Sequence, residues 1–303
     1  MTCKSILDLI GNTPMIEIPN TLSPPIFAKA EFLNPGGSVK DRVAKHLIEC
    51  AERDGLLRPN MIIVEATSGN TGIGVALVGR LKGYRVVIVM PESMSEERKK
   101  LIRALGGELV ATPKGKSIRG AVEKADDLER RNKGIWRVNQ FTNPHNPEVH
   151  YQTTGPEIWQ QMDGKVDAFV AGVGSGGTLQ GVGQFLKEQN PKIKLVAVEP
   201  EGASVLLGEE PGLNRIHQIQ GIGDGFIPDV LNTALIDQVI TVSDDDAVYT
   251  TRQLARKQGL LVGTSSGANF WASQQVAEDL GADARVVTML PDRAERYFST
   301  ALI

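Results

Sequence analysis

The sequence predicts an α/β protein of two domains, each a mostly parallel twisted sheet flanked by helices. Three observations predict it. Apolar runs of strand length alternate with segments of helical apolar spacing along most of the chain. Glycine-rich turns lie at or near the carboxyl ends of such runs, where open α/β sheets bind ligands. A length of 303 residues, 41% apolar and 23% charged, gives ordinary globular composition with room for two cores.

In chain order, residues 61–65 read as a strand and 71–81 as a helix. A strand at 85–90 is followed by a helix at 95–105, and a strand at 108–112 by a helix at 117–132. Residues 135–140 read as a further strand. This succession argues for a parallel sheet covered on both faces. The Pro- and Asn-rich stretch 140–147 breaks the rhythm. It divides a smaller, mobile domain within 1–145 from a larger domain over 146–303, and the first 35 or so residues are expected to pack partly on the larger one. In the second half, 166–173, 194–198, 235–242 and 285–290 read as strands. Residues 179–188, 244–258 and 266–279 read as helices, and 203–234 as irregular chain rich in Gly and Pro.

Composition removes several function classes. A net charge of −3 with interspersed signs offers no footprint for nucleic acid. The apolar runs are too short to span a bilayer, and the N-terminus lacks the apolar core of a signal peptide. Two cysteines, Cys3 and Cys50, suit a reducing cytoplasmic setting. Their spacing, and that of the four histidines, predicts no metal site.

Chemistry is concentrated in four places. Ser38 and Asp41 are spaced as a capping box, which starts a helix and puts Lys40 in its first turn. A cation at the positive end of a helix dipole is mildly destabilised, so the Lys40 pKa should fall. Such an amine is a good nucleophile toward aldehydes, although read alone Lys40 fits a solvated helix lysine better. Thr67-Ser68-Gly69-Asn70-Thr71 opens a helix with backbone N–H groups and hydroxyls suited to a carboxylate. Gly174-Ser175-Gly176-Gly177-Thr178 lets the backbone wrap a phosphate at another helix start. Gly263-Thr264-Ser265-Ser266-Gly267 precedes a third helix, where plain capping explains it as well.

Two cofactors compete for these turns. Gly172, Gly174 and Gly177 fit G-x-G-x-x-G, and Glu199 lies about 20 residues on, where a dinucleotide's ribose would be read. That pattern supports an NAD-dependent dehydrogenase, but no His–acid pair for hydride chemistry accompanies it. An amine nucleophile, a phosphate cradle and a carboxylate loop together fit pyridoxal 5′-phosphate and an amino-acid substrate.

At this point the sequence resembles the cysteine synthases (O-acetylserine sulfhydrylases) of the fold-type II pyridoxal-phosphate enzymes. The resemblance runs essentially end to end. It is carried by IGNTP (10–14), NPGGSVKDR (34–42), ATSGNTGI (66–73), MPESMSEER (90–98), YQTTGPEIW (151–159), GSGGT (174–178), QGIGDGF (220–226), SSGA (265–268) and ERYFST (295–300). It implies that Lys40 is the Schiff-base lysine and that Asn70 bonds the cofactor's 3′ oxygen. Gly174, Ser175, Gly176, Gly177 and Thr178 would hold the phosphate, and Ser265 would face the pyridine nitrogen. Thr67, Ser68, Gly69, Thr71 and Gln140 would take the substrate carboxylate. The implied reaction is a ping-pong β-replacement through an aminoacrylate, making cysteine from O-acetylserine and sulfide. A neutral serine hydroxyl does not keep the ring nitrogen protonated, which disfavours long-lived carbanions and suits elimination.

The resemblance further implies a homodimer and a cleft able to take the C-terminal tail of serine acetyltransferase. Cystathionine β-synthase, or another β-replacement from serine or O-phosphoserine with a different nucleophile, is the alternative within the family. Ser175 and Ala294 depart mildly from the family pattern, where threonine and glycine are usual. Asp224 departs more, at a position commonly apolar. Facing the cleft, it would repel an anionic nucleophile or pair with an ammonium; facing solvent, it would do neither.

Overall fold

The computed structural model describes residues 2–19, 24–113, 116–208, 217–300 and 302. Strands β1 (Met15–Ile18) and β2 (Ile26–Lys29) lead into helix α1 (Lys40–Arg53). Then come β3 (Ile62–Ala66), α2 (Asn70–Leu81), β4 (Arg85–Pro91), α3 (Glu96–Ala104), β5 (Glu108–Thr112), α4 (Ser117–Arg131) and β6 (Ile135–Arg137). The chain continues through α5 (His145–Val149), a π-helical turn at His150–Thr154, α6 (Gly155–Gln161), β7 (Ala168–Gly172), α7 (Gly177–Gln189) and β8 (Lys194–Pro200). It ends with β9 (Gln238–Val242), α8 (Asp244–Gln258), α9 (Thr264–Leu280) and β10 (Val286–Met289).

Two sheets result. One is four-stranded and wholly parallel, in the order β5-β4-β3-β6. The other is six-stranded, in the order β1-β2-β10-β7-β8-β9, parallel except for the β1–β2 hairpin at its edge. Residues before Lys40 therefore supply two strands to the sheet otherwise built from the C-terminal half.

Both sheets are covered on both faces, because successive strand residues point opposite ways. Ile63, Val86 and Ile88 pack with Val43, Leu47 and Ile48 of α1 and Val75 and Val78 of α2. Their neighbours Val64, Ala66, Val87 and Val89 pack on the other side with Ile118, Ala121 and Ala125 of α4. In the larger sheet Phe169, Leu195 and Val287 meet Leu179, Val182 and Leu186 of α7. Val170, Val196 and Val286 meet Ala268, Ala272 and Val276 of α9.

The capping box expected at α1 does not form. Asp41 turns back to accept from the Gly36 N–H instead of reaching Ser38. Ser38 Oγ accepts weakly from the Lys40 N–H at 3.2 Å. The backbone of Ser38 bridges to Asp292, which ties the turn before Lys40 to the chain just beyond β10.

Candidate active site

One cleft lies between the carboxyl ends of the two sheets, and it collects residues far apart in sequence. Lys40, Thr67, Ser68, Gly69, Asn70, Thr71, Gln140, Gly174, Ser175, Gly176, Thr178 and Ser265 all line it. Gly177, the remaining residue singled out from the sequence, stands immediately behind. A Cβ there would lie 2.1 Å from Asn146 Oδ1. The GxGxxG alternative is poorly served, because Glu199 is buried away from the lining and accepts the Leu206 N–H at 3.0 Å.

The three glycine-rich turns converge here because each ends a buried strand or opens a helix. Among the described residues no side chain caps α2, α7 or α9. Plain capping therefore does not explain these turns. The helix dipoles favour an anion at each, although at α9 the Ser266 N–H already donates to the Gly263 carbonyl at 2.9 Å.

At the second turn the backbone must come close. Gly176 has φ +79°, open to glycine, and a Cβ on Gly174 would lie 2.3 Å from the Gly221 carbonyl oxygen. This cradle of bare backbone fits a phosphate, so the residues present suit pyridoxal phosphate. Gly174→Ala should force Gly221 aside at a cost of about 1–3 kcal/mol. The expected result is a loss of roughly ten- to a hundredfold in pyridoxal-phosphate affinity, read by titrating cofactor-free protein and following absorbance.

Lys40 lies at the start of α1, half-buried, with its amine inside the cleft. Its Nζ is 3.5 Å from Ser175 Oγ. Burial pushes its pKa below the ordinary lysine value, against the Asp224 and Asp292 carboxylates, which raise it. Desolvation, more than the helix dipole invoked from sequence, lowers this amine. Asp224 faces the cleft, not open solvent. Burial pushes its own carboxyl up, opposed by Lys40 and His217.

Several groups around the cleft carry no obvious sequence signal. Asn146 donates to the Gln140 carbonyl at 2.7 Å and to Ser175 Oγ at 3.1 Å, joining two of the site's segments. Thr71 donates to Gln140 Oε1 at 2.6 Å. Asn70 Nδ2 donates to Asp292 at 2.7 Å, and Asn70 Oδ1 accepts from Arg296 at 3.0 Å. That leaves the second N–H of the carboxamide for a ligand. Arg296 also donates to the Gly36 and Gly37 carbonyls, so ERYFST anchors the turn before Lys40. Arg98, buried, stacks 4.6 Å from the centre of the Tyr297 ring. A Cβ on Gly69 would strike Arg98 at 2.4 Å, which explains that glycine.

The chain is similar to known proteins over nearly its whole length. The family described as pyridoxal-phosphate dependent enzyme matches residues 6–292. A cysteine synthase of Staphylococcus aureus is 50% identical over 302 residues, covering 98% of this chain and 96% of that relative. Among solved structures, an O-acetylserine dependent cystathionine beta-synthase from Helicobacter pylori superposes with a TM-score of 0.95 at 42% identity, covering 100% of this chain and 99% of the other. A hydrogen sulfide-producing enzyme from Fusobacterium nucleatum gives 0.94 at 40%, covering 98% and 100%. A cysteine synthase from Entamoeba histolytica gives 0.93 at 40%, covering 100% and 91%.

Proposed function

The chain belongs to the pyridoxal-phosphate dependent enzyme family, and from that premise we propose that it makes L-cysteine from O-acetyl-L-serine and sulfide by β-replacement. The observation that carries this reading is the placement of Lys40. A buried amine of lowered pKa sits beside a phosphate cradle and across from a carboxylate loop. The family assignment displaces the dehydrogenase alternative.

The cofactor, when bound, supplies an aldehyde that takes up an amine and a ring that accepts the electron pair from Cα. Gly174, Ser175, Gly176, Gly177 and Thr178 hold its phosphate with backbone N–H groups and hydroxyls at the α7 start. Ser265 offers a neutral hydroxyl to the ring nitrogen, and Asn70 its free carboxamide hydrogen to the ring oxygen. Thr67, Ser68, Gly69, Thr71 and Gln140 bind the substrate carboxylate and so aim the Cα hydrogen at Lys40. The Lys40 amine removes that proton as general base, a step its lowered pKa favours. The turn at 67–71 stands on the four-stranded sheet and the phosphate turn on the six-stranded one. Residues of the smaller unit within 1–145 then close as a mobile domain on the 146–303 unit and exclude water.

This reading carries a cytoplasmic homodimer with it, and a cleft open to the C-terminal tail of serine acetyltransferase. Among the described residues no helix is long and apolar enough to cross a membrane. The test is to add O-acetylserine, O-phosphoserine and serine separately to the cofactor-loaded protein. O-acetylserine alone should change the visible spectrum within one turnover and release acetate, and sulfide should then restore the spectrum with release of cysteine. No spectral response to any of the three would refute the reading.

A second reading is favoured by Asp224. A carboxylate in the cleft, close enough to raise the Lys40 pKa, opposes entry of hydrosulfide and suits a thiol that carries an ammonium. Homocysteine is one such nucleophile. Asp224→Asn should then lower kcat/KM for homocysteine by about two- to fivefold, the effect of one partly exposed charge pair worth roughly 0.5–1 kcal/mol, while that for sulfide stays level or rises. Equal effects on both nucleophiles would assign Asp224 no part in the choice.

A further inference from the structure

Outside the cleft, the fold brings together side chains whose spacing in sequence predicts no metal site. His46 and Cys50 lie one helical turn apart on α1, and His145 and Glu148 one turn apart on α5. The two helices pack against each other. One ligand atom from each of the four residues lies within 4.8 Å of all the others. Cys50 Sγ is 3.5 Å from His46 Nε2, and His46 Nε2 is 3.3 Å from Glu148 Oε2. In a tetrahedral zinc site with bonds of 2.0–2.3 Å, neighbouring ligand atoms stand about 3.3–3.8 Å apart. His145 Nδ1 also meets Glu148 Oε2.

The surroundings supply what metal ligands require behind them. The far nitrogen of His145 faces Asp54 Oδ2 at 3.8 Å. Gln152 donates to the other Glu148 oxygen at 2.8 Å. The Gln152 hydrogen bond orients the carboxylate, while Asp54 adds a nearby charge beyond hydrogen-bond reach of the imidazole. His46, His145 and Glu148 are half-buried, so the cluster is within reach of solvent, while Cys50 closes it from beneath. Ion pairing with Glu148 accounts for both histidines and core packing for Cys50, but neither requires the thiol to stand at ligand distance from His46.

We propose that His46, Cys50, His145 and Glu148 form a site for one divalent transition-metal ion of the zinc class, which pins α5 to α1. The donor set of two imidazoles, one thiolate and one carboxylate suits a four-coordinate borderline-soft ion better than calcium or magnesium. Binding exchanges the Cys50 thiol proton, released to solvent, for a metal–sulfur bond. The site adjoins the active centre through Asn146, between two of its ligands in sequence, which bonds Gln140 and Ser175.

Cobalt is the probe. Titrating Co²⁺ into the cofactor-loaded protein, with Cys3→Ser as background, should give the strong visible bands of a four-coordinate ion at one per chain, together with near-ultraviolet thiolate charge transfer. Cys50→Ser should remove the charge-transfer band. His46→Ala/His145→Ala, which alters only half-buried positions, should weaken binding by more than about tenfold and abolish any zinc-dependent rise in melting temperature. A faint six-coordinate spectrum, or tight binding that survives the double histidine variant, would overturn the proposal.

Discussion

Lys40→Ala should abolish turnover, with kcat falling by at least about 10³-fold, and should erase the visible absorption that the lysine–cofactor bond confers. General-base removal alone is worth roughly 10²–10⁴-fold, and loss of the covalent tether adds to it. The fold should stay near native. Among the described residues the Lys40 amine makes one long hydrogen bond, to Ser175 Oγ at 3.5 Å. α1 is held instead by Val43, Ala44, Leu47 and Ile48 in the core of the smaller unit. The phosphate cradle is untouched, so the variant should still bind pyridoxal phosphate, without the lysine-dependent band. An added primary amine should restore part of the rate, as a free amine can replace a missing side-chain base but not its positioning. Turnover retained at near wild-type rate would remove Lys40 from the reaction and with it the reading of the cleft.

How far such a site is legible in sequence depends on how local its signals are. The strand–helix alternation from β3 to α4 is plain because β3 and β4 are built on apolar runs of strand length, while α2 is a longer run of small and apolar residues buried all round and α3 buries only Arg98 and Ile102. β1 and β2 are not plain. MIEI at β1 buries only Ile18, and IFAK at β2 pairs with β1 on one side and, on the other, with β10 from the far end of the chain. The region from α5 to α6 carries Pro144, Pro147 and Pro156, which read as breakers. Pro147 falls inside α5 and Pro156 in the first turn of α6, where the missing N–H costs little. β6 ends at Arg137, two residues before Asn139 turns left-handed at φ +54°. Within the cleft, the glycine turns and Lys40 are visible because they combine unusual residue types over a few positions. Arg98, Asn146, Asp292 and Arg296 are not, because their roles depend on partners such as Tyr297 and Asn70 that the fold alone brings near.

Glu31→Ala should be the most damaging change away from the cleft, at about 3–5 kcal/mol, the usual cost of orphaning one side of a buried ion pair. Glu31 is fully buried and accepts from both Arg42 Nε and Arg42 Nη2 at 2.8 Å, from Thr13 at 2.6 Å and from Asn34 at 2.8 Å. Arg42 also donates twice to Glu157, which pairs with Lys29 at 2.7 Å. Two carboxylates thus balance two cations across β2, α1 and α6, under the turn that presents Lys40. Removing Glu31 leaves the guanidinium with one carboxylate shared with a lysine, and takes from Thr13 and Asn34 one hydrogen-bond acceptor each. Burial alone would raise the Glu31 pKa, but Arg42 and the hydrogen bonds outweigh it and hold it below the usual carboxylate range. Its stabilisation is therefore present above its unfolded value of 4.5 and is lost as the pH falls through the lower folded value. Urea denaturation at neutral pH measures the loss in Glu31→Ala. The same experiment repeated below about pH 4.5 should show the gap to wild type narrowing. The double replacement Glu31→Leu/Arg42→Met, which removes both charges and leaves Lys29 with Glu157, should recover part of the loss, since apolar isosteres often match a buried pair. A neutral-pH loss under about 1 kcal/mol would mean that water reaches Arg42 and that the network does not fix the start of α1.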